Sequence, residues 1–351
     1  MKLRQVCGSL VIGGFAGTSL PRSFGDRLRS GELGGAILFA RNVTPDLEQV
    51  AALCAEIVRT QELAPIVSVD QEGGRVARLK EPVVRLPPAL ALGRLDEASL
   101  ERIGAALGRA LAAIGFSMDY APVLDVHTNP KNPVIGDRAF ATEPDHAARA
   151  AIAFARGLSS AGVAPCGKHF PGHGDTLTDS HLELPRVAHD RARLDAVELG
   201  PFRAAAREMP AIMSAHVVYD GLDEKPATLS RRIATDLLRG EMGFEGVLVS
   251  DDLEMRAIAA AYGAGQAAVL AVEAGCDALL VCSDEDAQAA AVDALAARAE
   301  RDAAFRARCE EASARCAKLR RAFVPRAVSP EARREALAVP ADVAAALASL
   351  A

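Results

Sequence analysis

Short apolar, β-branched runs recur along the chain, each followed by a longer stretch in which apolar residues return every three or four positions. The runs are VCGSLVIGGF, GGAILFARN, PIVSVDQ, FSMDYAPVLDV, VAPCGKHF, AIMSAHVVY, GVLVSDD and CDALLVC. Such runs, bounded by turn residues, read as buried strands. The stretches between them, among them PDLEQVAALCAEIVRTQ, LERIGAALGRALAAIG, DHAARAAIAFARGLSSAG and LSRRIATDLLRGEMG, have helical spacing. Thr44 before Pro45 predicts a helix N-cap and first turn, and Gly115 and Gly162 fall where helices end. Strands alternating with helices eight times over predict an α/β fold, a (β/α)8 barrel of the TIM type, with a doubly wound open sheet as the alternative.

The polar residues favour the barrel. Arg41 and Asn42 follow the second run and Asp70 the third, and Asp125 and His127 follow the fourth. Lys168 and His169 lie on the fifth, His216 on the sixth, and Asp251 and Asp252 on the seventh. A barrel gathers the C-terminal strand ends around one mouth, where its active site lies. Beyond the eighth run an Ala/Arg/Glu-rich tract supplies the last barrel helix and an extra one. The expected organisation is therefore a single catalytic domain over residues 1–325, barrel plus C-terminal helical extension, and a Pro-broken tail over 326–351.

Composition narrows the function. A chain of 351 residues suggests two domains at about 150 residues each, but α/β barrels exceed that length as one unit. A formal net charge of −6 with scattered Lys and Arg leaves no electrostatic footprint for nucleic acid. Seven cysteines, without C-x-x-C spacing, read as small buried hydrophobes in a reducing compartment. The start MKLRQVCGSLVIGGFAG imitates a signal peptide, yet Gly8, Gly13 and Gly14 interrupt its apolar stretch and it reads as well as a first strand. No apolar run reaches the roughly 18 residues of a membrane span, so the expected location is the cytoplasm, with no membrane partner.

The richest chemistry lies in GKHFPGHGDTLTDSH, which holds three of the chain's seven histidines. Pro171 and Gly172 forbid the helix that would put His169 and His173 on one face for a metal, and the glycines fit no phosphate loop. Asp179 and His181 are two apart. In an extended segment they point the same way, so the carboxylate can orient one imidazole nitrogen and leave the other to move a proton. In LVSDDLEM a strand runs straight into Asp251 and Asp252, placing a carboxylate as nucleophile or base, with capping of the next helix as the structural alternative. SVDQEGGRVARL and NPKNPVIGDRAF offer Asp70, Glu72, Arg75 and Arg78, and Asp137 and Arg138. These suit a hydroxyl-rich ligand or, equally, a salt-bridge network.

Together KHFPGHGDTLTDSH, LLRGEMGFEGVLVSDDLEM, DQEGGRVARL and NPKNPVIGDRAF resemble the motifs of bacterial β-N-acetylglucosaminidases of glycoside hydrolase family three, in order from the first strand to at least the eighth. The resemblance implies a retaining exo-enzyme that releases terminal N-acetylglucosamine from muropeptide fragments in peptidoglycan recycling, with no cofactor or metal and a monomer as the expected state. By position, Asp251 matches the nucleophile, His181 the acid/base histidine and Asp179 its partner. Asp70, Arg78, Arg138, Lys168 and His169 match sugar-binding positions, and the glycines near His181 are expected to let its loop swing. One departure is Glu254, where the broader family signature has a small residue. Alternatives on the same residues are a phosphorylase, a hexosaminidase assisted by the substrate's acetamido group, and a non-catalytic sugar-binding barrel.

Overall fold

The computed structural model describes residues 1–178 and 183–350. Eight parallel strands close on themselves: β1 Val11–Gly13, β2 Gly35–Leu38, β3 Ile66–Val69, β4 Met118–Asp119, β5 Ala164–Phe170, β6 Ala211–Ser214, β7 Val247–Asp252 and β8 Ala278–Val281. They pair in sequence order, and β8 returns to β1. The open-sheet alternative is thereby excluded. Each strand is followed by a helix, from Arg22–Arg29 after β1 to Glu285–Arg301 after β8.

The two-residue period of the strands builds two apolar layers. In β7, Leu248 packs outward among the helices while Val247 and Val249 fill the barrel. In β8, Leu279 and Val281 point out while Ala278 and Leu280 point in. The helix Ala303–Ala322 adds Cys316 and Leu319 to the inner cluster and so closes the barrel's N-terminal end. All seven cysteines are buried free thiols.

Two local expectations are corrected. The first run does not begin as a strand: Leu3–Gly8 is a helix, because Leu3, Val6, Cys7 and Leu10 recur at helical spacing, and only Val11–Gly13 joins the sheet. The helix Leu47–Val58 is capped by Asp46, whose carboxylate accepts the Glu48 amide at 3.0 Å, rather than by Thr44, whose hydroxyl meets Gln49 instead. Asp46 is the residue directly before the helix, where a side-chain oxygen reaches the free amides. Gly115 and Gly162 do end helices, with φ of +114° and +86° that L side chains rarely adopt. At the C-terminus the helices Pro330–Leu337 and Ala341–Ala348 pack on Glu97–Ile114, with Arg333 donating to Ala113 O at 3.1 Å and paired with Glu48. No helix among the described residues is long and apolar enough to cross a membrane.

Candidate active site

The inward half of the strand pleat, continued one step past the core, builds the site. In β3 the inward series is Ile66 and Ser68, and the next inward residue is Asp70. In β5 it is Ala164 and Cys166, then Lys168. In β7 it is Val247 and Val249, then Asp251. Each strand thus presents a charged group at the barrel mouth, above an apolar floor.

These groups line a cavity of about 270 Å³ with Arg78, Arg138, His169, His173 and Asp252, and with Phe39, Met213, Met255 and Leu280 as its apolar wall. The structure brings together Asp70, Arg78, Arg138, Lys168, His169 and Asp251 in this one cavity. Asp179 and His181 lie outside the described residues. A larger hollow of about 500 Å³ at the other end of the barrel, around Pro210, Gly246 and Phe323, is lined by none of the candidate residues.

Charge on the cavity floor is paired. Lys168 Nζ contacts Asp70 Oδ1 at 2.9 Å and Glu72 Oε1 at 2.6 Å, and Arg138 grips both Glu72 oxygens at 2.8 Å. Arg78 reaches Asp70 Oδ2 at 3.3 Å. Burial alone would raise the Glu72 carboxyl, but the charges of Arg138 and Lys168 hold it well below the usual range. Burial likewise works against the Lys168 ammonium, and Asp70 and Glu72 more than reverse it, so the ammonium keeps its proton. The network and the ligand-binding readings of DQEGGRVARL are therefore compatible: Glu72 lines the cavity but is almost wholly buried, while Asp70 and Arg78 are partly open to it.

A second cluster orients the histidines. Asp125, fully buried, accepts His169 Nδ1 at 2.7 Å and the His173 amide at 2.6 Å. Burial, with His169 beside it, pushes His173 down to about 4, so its imidazole is neutral at physiological pH. Asn132 braces the same loop, donating to His173 O at 2.9 Å and to Gly174 O at 3.0 Å. The glycines here permit tight local geometry: Gly172 has φ +133°, and a Cβ on Gly174 would lie 1.8 Å from Val126 O. Further along, Asp175 pairs with His189 and accepts from Thr128 Oγ1 at 3.1 Å, bracketing residues 179–182.

Two further carboxyls are shifted by burial, and of these only Asp119 went unassigned in the sequence. Burial pushes Asp252 up to about 7 and Asp119 up to about 8. Asp119, on β4, accepts the Gln71 amide at 2.9 Å, and its second oxygen has no hydrogen-bond partner among the described residues. Only its place on a strand, not its type, separates it from a surface aspartate in the sequence.

A model of the glycosyl hydrolase family 3 N-terminal domain matches residues 18–319. The chain belongs to glycosyl hydrolase family 3. The β-hexosaminidase of Neisseria meningitidis serogroup C is 42% identical over 288 residues, 79% of this chain and 79% of the relative. That of Pseudomonas aeruginosa is 42% identical over 293 residues, 82% and 86% of the two chains. Among solved structures, the family 3 β-N-acetylglucosaminidase of Paenibacillus sp. superposes with a TM-score of 0.90 at 39% identity, covering 100% of this chain and 68% of that one. NagZ of Neisseria gonorrhoeae superposes with a TM-score of 0.81 at 35% identity, covering 97% and 96%. The family 3 chain is a glycosidase, and its candidate cavity sits at the barrel face where TIM-barrel enzymes work.

Proposed function

We propose that this glycosidase is a retaining exo-β-N-acetylglucosaminidase that removes terminal N-acetylglucosamine from muropeptide fragments and related β-glycosides in cytoplasmic peptidoglycan recycling. One observation carries the reading: the Asp251 carboxylate shares a single closed-ended cavity with the hydroxyl-binding set Asp70, Arg78, Lys168 and His169. A pocket closed below by the barrel core takes one chain end rather than the middle of a polymer. The solved gonococcal relative in complex with N-trifluoroacetyl-D-glucosamine supports the sugar.

In this reading Asp251 attacks the anomeric carbon and forms a covalent glycosyl-aspartate. His181 first protonates the departing oxygen and then deprotonates water, and Asp179 orients it. An imidazole with an ordinary pKa of ~6.5 suits transfer in both directions near neutral pH. Asp70, Arg78, Arg138, Lys168 and His169 hold the sugar hydroxyls, Arg138 chiefly through the Glu72 carboxylate it grips. No cofactor enters these steps.

The test is hydrolysis of chromogenic β-glycosides that differ only at the sugar C2 substituent. The 2-acetamido glycoside is turned over with kcat/KM far above the 2-hydroxy glycoside; equal turnover of the two would defeat the reading.

A further inference from the structure

The β7 strand loses its regular support just before Asp251. Pairing with β6 runs from Val247 to Val249 and ends there, and pairing with β8 slips between Val249 and Asp252. Side chains take over from the ladder. Asp252 Oδ1 accepts the Cys282 amide at 3.3 Å, and Glu254 accepts the next two amides, Ser283 at 2.6 Å and Asp284 at 3.0 Å. Three successive amides after β8 are thus bound by two carboxylates, one at the end of β7 and one in the turn that follows it.

The β8 side of this contact is fixed independently. Arg41 donates to Cys282 O at 2.5 Å, Gln288 donates to Val281 O at 3.0 Å and to Gly14 O at 2.7 Å, and Asp284 caps the helix Glu285–Arg301. The turn after β7 hangs on that anchor. It passes the constraint to Asp251 directly, because the Asp252 amide donates to Asp251 Oδ1 at 2.8 Å while the Asp252 carbonyl meets His216 Nε2 at 3.0 Å.

We infer that Glu254 is a positioning residue, which ties the turn after β7 to the segment after β8 and so sets the direction of the Asp251 carboxylate. The inference rests on the reading of Asp251 as nucleophile. Glu254 is not among the described residues that line the cavity, so among these its effect on the reaction runs through Asp251 and Asp252. A small residue at position 254 leaves the Ser283 and Asp284 amides to water. A displacement approaching 1 Å at a reacting group costs about 100-fold in rate.

The experiment compares the wild type with Glu254→Ala and Glu254→Gln. Three quantities are measured: the rate at which a slow 5-fluoro N-acetylglucosaminide labels Asp251, the Kd for N-acetylglucosamine, and the melting temperature. For Glu254→Ala the labelling rate falls by about 10–100-fold, while Kd stays within about twofold, a split that marks an interaction felt in the transition state. Glu254→Gln falls between, since its amide oxygen accepts one of the two N–H groups. Equal labelling rates in all three proteins overturn the inference. So does a loss shared by labelling and sugar binding together with a lowered melting temperature, which is the pattern of a merely structural residue. Labelling of the wild type at a residue other than Asp251 defeats the nucleophile reading, and this inference with it; normal labelling of Asp251 at an unchanged rate in the variants defeats this inference alone.

Discussion

The Lys168 ammonium lies 2.6 Å from the Glu72 carboxylate, with side chains only 3% and 4% exposed. A buried pair of this kind adds little over an apolar pair of the same shape, but removing one partner leaves the other charged and uncompensated. Arg138 makes the dependence stronger, because both of its bonds to carboxylate end on Glu72.

Glu72→Ala therefore lowers stability by about 3–5 kcal/mol, read by chemical denaturation. Glu72→Gln loses less, since its amide oxygen still accepts from Arg138. The pH dependence has a definite sign. The folded Glu72 carboxyl is held below its ordinary value, so its contribution is fully present above the unfolded pKa of about 4.3 and is lost as pH falls below it toward the folded value. Acid unfolding is accordingly less steep in Glu72→Gln than in the wild type, and parallel curves would show that Glu72 is not the ionised centre of the network.

Asp119 acts in the opposite sense. Burial keeps its proton on up to about pH 8, whereas the unfolded chain releases it near pH 4. Between those values the folded state binds more protons, so stability falls as pH rises through the window. Asp119→Asn removes the titration while keeping an acceptor for the Gln71 amide. Its melting temperature changes less between pH 6 and pH 9 than that of the wild type, by differential scanning calorimetry; an unchanged slope would place the titration elsewhere.

How far the site was legible follows from these residues. Asp70, Lys168 and Asp251 could be read because each is the next inward step of a strand whose alternation is plain in the sequence, so a period of two fixes both the strand and the direction of its last charge. Glu72 could be seen but not assigned: it sits in the short hairpin strand Gln71–Gly73, and its partner Arg138 comes from a loop 66 positions away that no local pattern connects to it. The Asp175–His189 pair and the Asn132 brace were not legible for the same reason. The glycines of PGHGD carry no sign of which role they serve, because a glycine that permits motion and one that permits close approach are the same letter. Gly174 is the latter, pressed against the Val126 carbonyl.

His181→Ala separates proton transfer from binding. Loss of a general acid or base costs about 10²–10⁴-fold. The loss appears on glycosides with poor leaving groups and is much smaller for glycosylation by an activated aryl glycoside, whose leaving group departs without a proton. Asp179→Ala follows the same pattern more mildly, because in the proposed mechanism it only orients the imidazole. An equal loss on both substrates in the glycosylation step would make His181 structural.

Water, rather than phosphate, is the expected acceptor of the glycosyl group. A histidine acid/base repels an incoming phosphate less than a carboxylate would, and cations in the mouth would favour the anion further. The floor of this cavity does not supply them in free form: Lys168 is bound by Asp70 and Glu72, Arg138 by Glu72 and Arg78 by Asp70. Asp251 and Asp252 add further carboxyls to the same wall, so among the described residues the cavity's basic side chains are matched by acidic ones. With millimolar phosphate present, free N-acetylglucosamine is the main product by chromatography and the rate is insensitive to phosphate. N-acetylglucosamine 1-phosphate in excess would reverse the assignment of the acceptor. It would leave the nucleophile in place, since both routes pass through the same glycosyl-Asp251 and diverge only in what attacks it.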